Sequence, residues 1–248
     1  MNMGEELVKA MSPHGLFEIN LFGFKAFITD TIFVMWLVMA ILIVSAYILT
    51  RNLKNVPGGK QNLVEAFVEF ISNFSKENMG HFGKNFTPYL GTLLLFLLFS
   101  NIISIFNVLP IGSILHAITG AEGFKELAIR PPTRDPNLTI CLALISILMV
   151  ALSSIRFRGI KGWLHYHIEP LPIMLPFKLM DYFVRTLSLS MRLFGNILGA
   201  FIVMELLYAA MPILIPAGFS IYFDLFDGIL QAYVFVFLTS LYIAEAVE

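Results

Sequence analysis

The chain has 248 residues, of which 58% are hydrophobic and 13% are charged, and its mean hydropathy is +0.81. Soluble domains have about 45–50% apolar and about 25% charged residues, so this composition largely excludes a soluble enzyme. The 16 basic and 17 acidic residues give a net charge of −1, which excludes a nucleic-acid partner that needs clustered positive charge. The single cysteine, Cys141, excludes a disulfide framework and a thiolate metal site. We therefore expect an all-α polytopic membrane protein in the lipid bilayer.

The N-terminal part is predicted to hold one membrane span and one surface helix. Residues 1–28 precede the first uncharged run, residues 31–50, which has the roughly 20 residues needed to cross the hydrocarbon core. This run begins too late in the chain for a signal peptide. Residues 61–81 have apolar side chains at three- and four-residue spacing with charged residues between them. That pattern predicts an amphipathic helix that lies on the membrane surface or against a partner.

Two further spans are predicted in the middle of the chain, at residues 86–109 and 138–155. The intervening residues 110–137 end in the sequence IRPPTRDPN, which is too rich in proline for regular structure. We expect this segment to form an external loop. The third span is followed by the basic sequence RFRGIK.

The last two spans are predicted to be long. Prolines bound residues 172–210, and a helix of some 35 residues would measure about 52 Å, well beyond the roughly 30 Å of hydrocarbon. Residues 219–246 also exceed the length of one perpendicular crossing. The prediction is thus five transmembrane helices plus one amphipathic surface helix, with the last two spans forming a long, steeply tilted hairpin.

The loop charges predict the orientation in a bacterial-type plasma membrane. Basic residues after the first and third spans favour a cytoplasmic position for both loops, which leaves the N-terminus outside and the C-terminus in the cytoplasm. The sequence shows no internal repeat, and this disfavours a transporter built from inverted repeats.

The fourth predicted span carries a line of polar residues around a central cation, Arg192. An arginine at the centre of a membrane helix costs about 2.5–3.5 kcal/mol on insertion scales and is functional by default. At 100° per residue, six positions fall within about 40° of one another. These positions are Asp181, Arg185, Ser188, Arg192, Asn196 and Gly199. A structural ion pair between Arg192 and Glu205 is disfavoured because the two residues lie on opposite sides of the helix.

The last span has a similar polar side, which points to an ion pathway. Its members are Asp224, Asp227, Gln231, Tyr242 and Glu245. Simpler interpretations exist for the charges near the helix ends. Arg185 could extend its charge to the interface, Asp181 could be its i,i+4 partner, and Glu245 and Glu248 are expected to be solvated tail charges.

The sequence WLHYHIEP contains His165, His167 and Glu169, which resemble a metal cluster by composition. A proline follows immediately, and no second ligand set with suitable spacing occurs in the sequence, so an interfacial aromatic belt is the preferred interpretation. No phosphate-binding loop or hydrolase motif is present. We therefore expect neither a cofactor nor catalysis within this chain.

Four segments together resemble subunit a of the F-type ATP synthase. They are SLSMRLFGN (188–196), LQAYVFVFLTSLYIAEA (230–246), PPTRDPNLT (131–139) and LPIMLPFKLMDYF (171–183). The resemblance covers essentially the whole chain in order. It implies a stator beside a rotating ring of c subunits, with peripheral-stalk b subunits as further partners. It also implies two offset half-channels that carry H+ or Na+.

The resemblance implies a role for three polar residues. Arg192 is similar to the family's essential arginine, Asn196 to its polar companion and Gln231 to the amide that faces it. A guanidinium is not deprotonated in proteins, so Arg192 would block a direct leak between the half-channels. Its charge would favour the ionised form of an approaching c-subunit carboxylate. Ser188 and Arg185 complete the predicted ion-translocation set on this helix.

The chain departs from the bacterial pattern at Phe201, where many relatives carry a glutamate nine residues after the arginine. Glu205, one turn further on, could take that role, and Asp224 stands where the family varies between histidine and an acid. We hypothesise that Asp224, with Glu205 or Asp227, lines the outer half-channel.

Two other functions stay open at this point. The chain could be an autonomous secondary transporter or channel that uses the Arg192 stripe as an anion or ion site. A membrane enzyme based on His165 and His167 is a distant third.

Overall fold

The computed structural model describes residues 15–21, 24–56, 58–103, 131–168, 175–210 and 222–247. In these ranges a β-hairpin precedes six α-helices. The elements are β1 Gly15–Leu21, β2 Phe24–Thr29, α1 Asp30–Thr50, α2 Gly59–Met79, α3 Gly83–Ile102, α4 Pro136–Ile168, α5 Leu175–Ala210 and α6 Gly228–Val247. Among the described residues, five helical stretches are long and apolar enough to cross a membrane, which confirms the predicted five-span architecture.

The hairpin is an addition to the predicted all-α architecture, because residues 1–28 carried no structural prediction beyond an external position. Its strands are antiparallel, with Glu18 opposite Phe27 and Leu21 opposite Phe24. The register shifts once, between Gly15 and Phe17. Helix α1 follows the second strand directly, and the Thr31 backbone N–H donates a 2.9 Å hydrogen bond to Asp30 Oδ1 at its start.

The chain divides into two compact units. The first contains the hairpin, α1 up to Val44, Phe96–Leu138 and Phe194–Gln231 within the described ranges. The second contains Ser45–Leu95, Thr139–Leu193 and α6 from Ala232 onwards. Helix α5 therefore contributes its N-terminal half to the second unit and its C-terminal half to the first.

In the first unit, α1 uses one narrow side for packing. Val34 and Val38 are each 1% exposed and form a cluster with Ile103, against which Leu42 and Phe96 pack. Most other large side chains of α1 are exposed, as expected for a helix with lipid around most of its circumference.

In the second unit, α2 begins two residues before the predicted surface helix and buries only its C-terminal half. Phe74 lies 5.6 Å from the ring of Tyr233 and 6.2 Å from that of Phe237, both on α6, whereas Leu63 is 71% exposed. The position of α2 on the membrane surface stays a prediction.

A short 3-10 turn, Gly80–Phe82, leads from α2 into α3. Ser75 Oγ donates a 2.6 Å hydrogen bond to the Gly83 carbonyl, and a Cβ at Gly83 would clash with the Ser75 backbone. Helix α3 starts before the predicted residue 86, and residues 104–109 of the predicted span lie outside the described ranges.

Helix α4 continues beyond residue 155, where the predicted third span ended. The basic residues of RFRGIK do not stop a helix, and helical structure reaches Ile168 with one break at Gly159. Gly159 has φ 73°, a conformation that favours glycine. Before this helix, a 3-10 turn at Pro132–Arg134 ends the segment expected to lack regular structure. Residues 110–130 of that segment lie outside the described ranges.

Helices α5 and α6 differ in length. Helix α5 has 36 residues and ends at Ala210, the predicted end, which corresponds to about 54 Å at 1.5 Å per residue. Helix α6 has 20 residues and follows a π-helix at Tyr222–Asp227, where one continuous helix was expected. Residues 172–174 and 219–221 of the predicted spans are not among those described. The tilt of this pair stays a prediction.

Candidate functional site

Arg192 lies near the middle of α5 with its side chain exposed. At the same level of the helix, Leu189 and Leu193 are 1% and 0% exposed and form the side that packs inside the second unit. Ser188 is exposed in the turn before Arg192. Within the described part of the chain, Arg192 has no ion pair and no hydrogen bond. Its guanidinium is therefore available to a group that this chain does not supply from those residues.

In the first unit, Asn196 and Gln231 join the C-terminal half of α5 to the start of α6. Asn196 Nδ2 donates a 2.5 Å hydrogen bond to Gln231 Oε1. Gln231 is only 3% exposed, and its Nε2 has no partner among the described residues. Asn196 lies four residues after Arg192 on the same helix, so these two residues belong to the same predicted stripe.

A second polar network in the first unit holds the start of α6. Asn101 Nδ2 donates a 3.0 Å hydrogen bond to the Gly228 carbonyl, and Thr133 Oγ1 donates a 2.6 Å hydrogen bond to Asn101 Oδ1. Asn101 and Thr133 are 5% and 0% exposed. The sequence analysis did not include either residue in the site. Asn101 itself was the signal that could have identified this network. It is an amide within an apolar span, and a buried amide needs hydrogen-bond partners.

In the second unit, Arg185 makes a cluster of charged contacts. Its Nη2 lies 2.7 Å from Asp181 Oδ2 and 2.9 Å from Glu245 Oε2, and its Cζ lies 4.6 Å from the centre of the Tyr242 ring. The i,i+4 pair with Asp181 is confirmed. The expectation that Glu245 is only a solvated tail charge is wrong, because Arg185 is near enough to pair with it.

The acidic residues proposed for a half-channel are only partly described. Asp227 is half-buried at the end of the π-helix. The side chains of Glu205 and Asp224 lie outside the described residues. Since a π-helix has more residues per turn than an α-helix, position 224 does not keep the angular relation to Gln231 that 100° per residue implied, whereas Asp227 directly precedes the regular helix that carries Gln231.

The histidine sequence gives no metal centre in the described part of the chain, where no group of three metal-ligating side chains comes together. His165 is exposed near the end of α4. The side chain of His167 and all of Glu169 lie outside the described residues.

Comparison with known proteins shows the family of the chain. The sequence model of the family described as ATP synthase A chain matches residues 32–244. The chain is 37% identical over 228 residues to the sodium ion specific ATP synthase subunit a of Propionigenium modestum, covering 92% of this chain and 76% of that protein. It is 32% identical over 221 residues to the ATP synthase subunit a of Moorella thermoacetica, covering 89% and 92% of the two chains. The chain therefore belongs to the ATP synthase A chain family, the integral membrane subunit a of the F-type ATP synthase.

Proposed function

We propose that this chain is the ion-translocating stator subunit of its ATP synthase and that Arg192 meets the carboxylates of the c ring. One observation carries this proposal: Arg192 is exposed on a membrane helix and pairs with none of the described residues. Leaving that charge in hydrocarbon costs about 2.5–3.5 kcal/mol or more. An acidic partner from outside the chain removes that cost, and a ring of c-subunit carboxylates has the right charge.

The proposed action of Arg192 is electrostatic. Its guanidinium keeps its proton, so it does not relay H+ and it separates two offset half-channels. At 4 Å and an effective dielectric constant near 20, its attraction for a carboxylate is about 4 kcal/mol. That attraction is large enough to displace a bound ion and small enough for the ring to move on. Each elementary charge that crosses 100 mV supplies about 2.3 kcal/mol, so several crossings accompany each ATP.

Polar residues around Arg192 are proposed to line the pathway. Asn196 and Ser188 share the stripe with Arg192, and the hydrogen bond from Asn196 to Gln231 supports a role for that amide as well. Asp224, with Glu205 or Asp227, lines the outer half-channel in this proposal. The loop charges support an external N-terminus and a cytoplasmic C-terminus. The synthesis of ATP itself belongs to other subunits, and b subunits of the peripheral stalk complete the proposed partners.

The transported ion is proposed to be H+ or Na+. The selective site lies mainly in the c subunit, so residues of this chain do not choose between them. The Propionigenium modestum relative is named as sodium ion specific, so the test must measure Na+ as well as H+. The reconstituted complex is supplied with ATP, and the uptake of H+ and of labelled Na+ is measured with and without sodium. Proton uptake that persists at the lowest sodium concentration would identify H+, and sodium-dependent Na+ uptake would identify Na+.

An autonomous transporter or channel is the alternative, with the Arg192 stripe as an anion or ion site. Purified chain in liposomes, with and without the c ring, separates the two functions. A stator conducts only when the ring is present, whereas rapid ion or anion flux through the chain alone would overturn the stator proposal.

A further inference from the structure

Arg185 is the half-buried centre of a charged cluster on α5 and α6. Its side chain is 17% exposed, whereas the side chains of its two partners, Asp181 and Glu245, are 51% and 56% exposed. One face of the guanidinium lies over the Tyr242 ring. With Nη2 between two carboxylates and one face over a ring, this arginine is held in one orientation.

A second arginine, Arg158 of α4, holds the same end of α6. Its Nε donates a 3.1 Å hydrogen bond to the carbonyl oxygen of Ala246. The last carbonyls of a helix have no partner within the helix and carry the negative end of its dipole, so a cation there is favourable. Arg158 directly precedes Gly159, where α4 breaks. The end of α6 is thus held by arginines from two other helices.

We propose that Arg185 is a positioning residue that joins α5 to the end of α6 and thereby fixes the orientation of Arg192. Arg185 lies seven residues before Arg192 on the same uninterrupted helix, about 10.5 Å along its axis. Rotation of α5 at Arg185 would rotate Arg192 with it, so the bridge to Glu245 resists the lateral load of a moving ring. This inference rests on the function proposed for Arg192.

Two properties of Arg185 argue against a direct role in the ion pathway. A guanidinium has no acceptor and does not lose its proton, so it does not hand on H+. Its guanidinium is already in contact with Asp181 on α5 and with Glu245 and Tyr242 on α6. We further propose that this bridge stays closed while the ring turns.

The test uses a cross-link in place of the ion pair, in the complete reconstituted complex. Cys141 is replaced by serine, and Arg185→Cys and Glu245→Cys are introduced together. A bismaleimide with a short spacer then joins the two thiols, because the ion pair joins two long side chains and a direct disulfide would be too short. The readouts are subunit content of the complex and the number of ions taken up per ATP hydrolysed.

Before cross-linking, we expect a normally assembled complex whose uptake per ATP is roughly three-fold lower than that of Cys141→Ser alone. Cross-linking should restore that ratio. An unchanged ratio before cross-linking would show that the bridge is not needed, and a ratio that stays low or falls after cross-linking would show that it must open. Either result overturns the proposal.

Two further variants keep the test decisive. If the double-cysteine subunit fails to assemble, Glu245→Gln keeps the side-chain size and the Asp181 pair, and it should lower the ratio while Glu245→Asp restores part of it. Equal ratios for both would overturn the positioning role. Arg192→Ala in the Cys141→Ser background tests the proposed function separately: full uptake there refutes the role of Arg192, whatever the cross-link does.

Discussion

The side chain of Asn101 and the backbone of Gly228, 127 residues apart, lie so close that a methyl group at residue 228 would fit only if Asn101 shifted by a few tenths of an ångström. Asn101 Nδ2 donates a 3.0 Å hydrogen bond to the Gly228 carbonyl, and a Cβ at Gly228 would lie 3.0 Å from the Asn101 Cβ. Because Thr133 also holds Asn101, a shift of the amide would strain a buried hydrogen bond.

Gly228→Ala should therefore destabilise the subunit by about 1–3 kcal/mol, the usual cost of overpacking. Gly91→Ala is the matched control, since its new Cβ would meet Ile71 Cγ2 at an ordinary 3.6 Å. Both changes gain helix propensity of about 1 kcal/mol, so the control should be neutral or stabilising. Thermal unfolding of the purified complex measures both, and equal shifts for the two variants would contradict the tight contact at Gly228.

Arg192→Ala should abolish ATP synthesis driven by an ion gradient, because no fixed cation would then discharge the c-subunit carboxylates. Arg192→Lys should be severely impaired, since an ammonium can lose its proton and lacks the planar fork. Met191→Ala is the control on the same exposed part of α5, where Met191 is 59% exposed. ATP yield in proteoliposomes is the measurement. A wild-type yield with Arg192→Ala would refute the proposed role.

The Asn196–Gln231 pair should show energetic coupling of about 1 kcal/mol in a double-mutant cycle, the net value of an ordinary hydrogen bond. The costs of the two single changes should add up to more than the cost of the double change. The reason is that each single change leaves the remaining amide without the Asn196–Gln231 hydrogen bond, and this loss is then counted twice. The free energy of unfolding of the complex is measured for Asn196→Ala, Gln231→Ala and both together. Purely additive effects would show that the 2.5 Å contact does not contribute.

Asp224→Asn and Glu205→Gln separately test the outer half-channel. Each change keeps the side-chain size and removes the charge that attracts a cation, so at least one should slow ATP-driven ion uptake by roughly ten-fold, the effect of about 1.4 kcal/mol on a barrier. Asp227→Asn is measured alongside. Slower uptake in Asp227→Asn or in Glu205→Gln shows which of these two acids acts together with Asp224. Full coupled uptake in both Asp224→Asn and Glu205→Gln would remove this pathway from the proposal.

The sequence was sufficient to predict the five spans, because a long apolar run has a large energetic signature. The role of Arg192 stays a prediction that rests on the cost of a charge within such a run. The bond from Asn101 to Gly228 could not be predicted, since a single sequence does not show which residues meet across 127 positions. The same limit applies to Arg185 and Glu245. Glu245 sits at the polar end of a helix, where a solvated charge is the simpler expectation.

The spacing of apolar residues also could not predict local changes in backbone geometry. Helix α4 passes through RFRGIK because basic side chains are compatible with a helix, and only the glycine conformation at residue 159 marks the break. The π-helix at Tyr222–Asp227 has no sequence signature comparable to an apolar run. It changes the relative directions of Asp224 and Gln231, which regular 100° spacing had placed together.

The π-helix at Tyr222–Asp227 gives the last membrane segment one residue more than a regular α-helix would need over the same turn. A wide turn takes up that residue without rotating the helix on either side, so a chain that lost it would have a regular turn and nearly the same directions before and after it. Gln231 and Gly228, held by Asn196 and Asn101, would keep their hydrogen bonds. Related chains can therefore differ by one residue in this turn and still preserve the buried contacts that follow it.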